Sequence, residues 1–141
     1  MAGRFSDETL EQIQMRAVLA GEDKLYAGIA TAMPKALQNQ VVTAASLKLP
    51  SPADIGRAFR KSVLPAVKDG ICGKAKYCKN RGTFDSIAKV SALVAEHVAD
   101  AIAASQGVPP GPAGKTAGLV VEVSASILKE GLNRLCDCPA T

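Results

Sequence analysis

The chain of 141 residues has no tryptophan, one histidine and few aromatic residues, 4% in all, from three Phe and two Tyr. Stacking platforms for single-stranded nucleic acid therefore have little to be built from. His97 alone rules out a metal site made of several histidines within one chain. No apolar run reaches the ~18 residues of a membrane span. The longest stretch, AGLVVEVSASIL, is broken by Glu122 and two serines. The opening MAGRFSDETLEQ is polar and acidic where a secretory leader needs an apolar core. That points to a cytoplasmic chain, or to a mature secreted form if disulfides are present. No run alternates apolar and polar residues as a half-buried strand does, and no repeat of fixed period occurs.

What remains is a core of Ala, Val, Leu and Ile on helical spacing. With 48% hydrophobic and 21% charged residues, the composition is that of a globular domain, and residues 1–141 are read as one domain. Ser6 followed by Asp7 and Glu8 marks a helix start, with Leu10, Ile13 and Ala17 on its inner face. A second helix runs from Glu22 through Leu25, Ile29, Met33, Leu37 and Val41, with Pro34 expected to kink or divide it. Ser51, Pro52 and Asp54 spell a capping box ahead of a third helix, whose stripe is Ile55, Phe59, Val63, Val67 and Ile71 and whose interior holds Pro65.

A fourth helix, capped by Asn80 or Thr83, carries Phe84, Ile87, Ser91, Val94 and Val98 on one face and Val90, Leu93 and His97 beside it. Three prolines and four glycines between Gly107 and Gly118 predict a flexible linker over 107–114. A fifth helix is predicted from about Lys115 to Leu135, apolar on two sides. The expected fold is all-α, a bundle of four to five helices with proline kinks at Pro34 and Pro65.

Motifs for chemistry are sparse. Gly114-Lys115-Thr116 has Pro109 where a phosphate-binding loop needs its first glycine, and a helix precedes it where a strand is required. No carboxylate pair is embedded in an apolar run, where burial would raise a pKa for acid–base work. His97 has Glu96 and Asp100 beside it but no evident nucleophile, so no catalytic residue is named and no enzyme is expected.

The cysteines are the informative feature. Cys72 and Cys78 lie in the basic loop GICGKAKYCKNRG, and Cys136 and Cys138 lie in the terminal CDCPAT. If the third and fifth helices run parallel, all four sulfurs meet at one end of the bundle. Cys136 and Cys138 are too close in sequence to bridge each other without strain, so disulfides would join the pairs, as in a bridge such as Cys72–Cys136. The same four residues as thiolates offer a site for zinc, Cu(I) or an iron–sulfur cluster, their charge offset by Lys74, Lys76, Lys79 and Arg81. The spacings, five residues within the first pair and one within the second, are unlike common zinc sites. Independent thiols are the third possibility.

Charge is uneven. Residues 48–89 carry ten bases against Asp54, Asp69 and Asp85. A basic patch of Arg57, Arg60, Lys61, Lys74, Lys76, Lys79 and Arg81 could meet an acidic partner or nucleic acid, although no basic helix is dense enough for a groove. Two functions follow from these features. One is a non-enzymatic interaction or structural protein that binds a protein partner or its own copies, tied by disulfides. The other is a four-cysteine metal-binding regulator or carrier with a basic face.

Overall fold

The computed structural model describes residues 5–106 and 117–139, and the predicted linker at 107–114 and the Gly114-Lys115-Thr116 motif lie outside them. The described residues are all-α. They form seven α-helices: α1 (Asp7–Leu19), α2 (Glu22–Ala32), α3 (Lys35–Ala44), α4 (Pro52–Lys68), α5 (Ile87–Gln106), α6 (Ala117–Glu130) and α7 (Leu132–Leu135). The count exceeds the expected four to five because two predicted helices are each divided.

The first division is at Pro34, where a kink or a division was expected and the helix divides. A proline pushes the residue before it out of the helical region. Met33 accordingly adopts φ −82°, ψ 138°, and α2 ends. The carbonyls left open there are satisfied by Gln38, whose Nε2 donates to Ala30 O at 2.9 Å and to Met33 O at 3.1 Å. The second division is at Gly131, with φ 93°, a left-handed conformation that glycine adopts at little cost. Its N–H donates to Ile127 O at 2.9 Å and closes α6.

Other boundaries follow local chemistry. Ser6 Oγ accepts from Thr9 N at 3.2 Å and caps α1. Ser51 and Asp54 form the capping box of α4 in both directions, at 3.2 and 3.1 Å. Pro65 lies inside α4, which runs on to Lys68 and widens into a π-helical turn over Asp69–Lys74. The start of α5 is capped by Ser86, whose Oγ accepts from Lys89 N, and not by Asn80 or Thr83. Asn80 lies seven residues before the first residue of α5, in a preceding turn where its Nδ2 donates to Ala75 O at 3.0 Å.

Helix α6 is the hub, packed against α2, α1 and α5, with Leu119, Val120, Val123, Ala125 and Ile127 all buried. The two-sided apolar character of the predicted fourth and fifth helices is thus consumed within the chain, apart from Ile87, which is exposed. Helices α2 and α4 pack closest. At their crossing a Cβ on Gly56 would overlap the carbonyl oxygen of Tyr26, so only glycine permits that approach. Burial of Ile13, Leu25, Ile29, Phe59, Val67, Val94 and Ile102 supplies the main stabilisation, about 1.5–3 kcal/mol for each large side chain.

Candidate functional site

The end of α4, the start of α5 and α7 converge on the cysteine junction. Ile71, fully buried, anchors the π-helical turn that carries Cys72. Beyond it the chain folds back on itself, with Tyr77 N donating to Ile71 O at 3.1 Å and the Tyr77 ring stacked on Phe84, centroids 6.0 Å apart. From the other side, buried Leu132 and Leu135 fix α7 and deliver Cys136. Asp137 takes a left-handed conformation, φ 52°, and turns the chain so that Cys138 N donates to Asn133 O at 2.8 Å.

Two disulfides result, Cys72–Cys136 and Cys78–Cys138, with Cα–Cα distances of 5.4 and 5.3 Å, inside the ordinary range. No cysteine is free. The metal alternative requires thiolates, and all four sulfurs are spent in disulfides. Among the described residues no group of three or more His, Cys, Asp or Glu is placed to hold a metal ion. Cys72 and Cys136 pack against the hydrophobic core, whereas the second bridge lies outside it.

Both bridges join the same two segments, and that decides their energetics. One bridge alone closes a loop of more than sixty residues, worth about 4 kcal/mol in chain entropy. Once one bridge exists, the other closes only the short ring through 72–78 and 136–138, worth roughly 2.5 kcal/mol. The junction is therefore a double staple between the α4–α5 connection and the segment that follows α6.

The seven predicted cations separate into groups. Arg81 is structural: its Nε donates to Cys78 O at 3.2 Å and its Nη2 to Pro139 O at 3.3 Å, tying the terminal segment down. Lys74, Lys76 and Lys79 are exposed and make no ion pair among the described residues. Arg57 and Arg60 lie on α4, fifteen and twelve residues before Cys72, or about 22 and 18 Å of helix. Arg57 pairs with Asp54 at 3.4 Å and Asp23 at 3.5 Å and lies over the Tyr26 ring. Arg60 is largely buried, paired with Glu130, and donates from Nε to Ser126 Oγ at 2.9 Å. Lys61 is exposed on another side of α4, beside α3.

Sequence reading missed the partners of these arginines. Arg60 and Glu130 line a cleft of about 230 Å³ together with Tyr26, Ser126, Lys129 and Arg134. The Tyr26 phenol is held above its ordinary range by burial and by donating to Glu22 Oε1 at 3.0 Å. On the opposite face of α2, Arg16 holds Glu122 by two hydrogen bonds. A signal for the second pair was present: Glu122 is a lone acid inside an apolar run, and buried charges are paired. His97 is half-buried on α5 with its ring against Gly70, where a Cβ would overlap Nδ1. No family model, no curated protein and no solved structure matches the chain.

Proposed function

We propose that this is a non-enzymatic interaction protein, a disulfide-tied helical bundle that presents the outer face of α1 to a protein partner, a second copy of itself first. One observation carries this: Met15, Val18 and Leu19, spaced three and one apart on a single helix, are 59%, 77% and 75% exposed. Residues at i, i+3 and i+4 form a contiguous patch, and apolar patches on an otherwise polar surface mark interaction sites. Lys24, Glu11 and Gln12 are exposed nearby in sequence and suit a polar rim.

The titratable groups support a structural role. Asp54 is engaged in a cap, Glu122 and Glu130 in ion pairs with arginines, and the cysteines in disulfides. Two disulfides also favour an oxidising compartment, where such bridges persist.

Sedimentation equilibrium over a wide concentration range tests the proposal. Self-association that is lost in Val18→Glu/Leu19→Glu, with the helical circular dichroism unchanged, is the expected result. A strict monomer, unaltered by that double substitution, overturns the self-association.

A further inference from the structure

Helix α3 is the least integrated element. None of its residues is buried, and among the helices it packs on α4. Between the two runs an open groove of about 420 Å³, within the range of small-molecule sites. Leu37, Val41 and Ala44 line one wall, at the helical spacing of one face, and Ala58 and Phe59 form the other.

The polar groups in the groove are few and unequal. Ser62 Oγ donates to Phe59 O at 2.6 Å, and Ser105 Oγ donates to Ile102 O at 2.9 Å. Both hydroxyls are thus turned to their own helices, and the walls are apolar in effect. That leaves the Gln40 amide and the Lys61 ammonium, and Lys61 makes no ion pair among the described residues. Among the described residues no acid lines the groove. Residues 35–51, which form α3 and the connection to α4, contain Lys35 and Lys48 and no Asp or Glu.

From this we infer that the α3–α4 groove binds a single-chain anionic amphiphile, a medium-chain carboxylate, with its alkyl chain along Leu37, Val41 and Phe59 and its carboxylate at Lys61. Apolar walls with one convergent cation match such a ligand in both parts. A neutral chain leaves Lys61 unused, and a cationic one is repelled. The site is separate from the α1 face and does not depend on self-association.

Isothermal titration with decanoate below its micelle concentration, on the oxidised full chain, tests the inference. Saturable binding at one site per chain is expected. Lys61→Ala should weaken it at least fivefold, and Ala44→Trp, an exposed position at the groove wall, should abolish it by filling the space. Lys74→Ala, at the cysteine junction, should leave it unchanged. Decanol should bind at least fivefold more weakly than decanoate to the unsubstituted chain. Should Ala44→Trp lose helical structure, protection of Val41 and Phe59 resonances by decanoate in the unsubstituted protein replaces it. Absence of saturable binding overturns the inference, as does equal affinity for decanol and decanoate. Binding to anionic phospholipid vesicles without binding of monomeric decanoate also overturns it, in favour of a membrane surface.

Discussion

Arg16 and Glu122, 106 residues apart, are joined by two parallel hydrogen bonds, Nε to Oε2 at 2.9 Å and Nη2 to Oε1 at 2.6 Å. The pair links α1 to α6 and raises the Arg16 guanidinium further above its ordinary value, chiefly through the hydrogen bond to Glu122. Gly28 of α2 leaves the space it occupies, because a Cβ there would overlap Glu122 Oε1. Glu122 is largely buried while Arg16 is more than a third exposed, so solvent screening reduces the pair's worth. Glu122→Ala is expected to cost about 1–2 kcal/mol in urea unfolding. Gly28→Ala should be destabilising in the unsubstituted chain and much less so in the Glu122→Ala background. Equal costs in both backgrounds would mean that Gly28 serves some other contact.

Because both disulfides join the same two segments, non-additive losses are expected. Removing either bridge alone, as Cys72→Ala/Cys136→Ala or Cys78→Ala/Cys138→Ala, should cost roughly 2.5 kcal/mol, because the other still closes the long loop. Removing both should cost about 7 kcal/mol. Denaturant midpoints of the three variants check this, and a sum of two equal independent losses contradicts it. Under graded reductant, mass spectrometry of alkylated protein should find Cys78 and Cys138 modified first, since the other bridge packs against the core.

Gly56→Ala should be among the most damaging small substitutions. The added methyl meets backbone, the Tyr26 carbonyl, which cannot rotate away as a side chain could. Helices α2 and α4 must separate, at about 3 kcal/mol. A thermal midpoint close to that of the unsubstituted chain would show that the crossing gives way easily.

Ser124 makes the opposite case. It is fully buried, and among the described residues its Oγ has no hydrogen-bond partner. Ser124→Ala removes an unsatisfied hydroxyl at almost constant volume and should raise stability by about 1 kcal/mol. A loss of stability would reveal a partner for the hydroxyl.

Asp54 ties the cap of α4 to pH. Hydrogen bonds from Ser51, the backbone N–H first and the hydroxyl second, hold its carboxyl below the ordinary 3.8. A carboxyl whose folded-state pKa is depressed stabilises the fold above its unfolded pKa, and the contribution is lost as pH falls through the folded value. The stability difference between the unsubstituted chain and Asp54→Asn should therefore be constant near neutrality and shrink below pH ~4. Thermal melts across that range test the sign, and a difference that grows on acidification refutes it.

The features read correctly in advance are local ones. Ser51, Pro52 and Asp54 declare the start of α4 because their hydrogen bonds span three residues. The stripe of Phe59, Val63, Val67 and Ile71 is buried because helical spacing alone places those residues on one face. The division at Gly131 escaped notice because apolar spacing continues across it, and only the left-handed backbone there reveals the break. Asn80 and Thr83 are good caps by residue type, yet turns continue through them and α5 begins only at Ile87.

By itself, then, the sequence determined an all-α chain, its helix faces and the presence of two cysteine pairs, since each of these depends on residues within a turn or two of one another. Pairings across the chain were decided by tertiary structure. Cys72 could have joined Cys136 or Cys138 with nearly equal loop entropy, and the folded chain pairs it with Cys136, both packed against the core. Likewise Glu122 reads as an interruption of an apolar run until α1 brings Arg16 beside it and Gly28 leaves room for both. Contacts between distant segments depend on how whole faces stack, and no spacing along the chain records that.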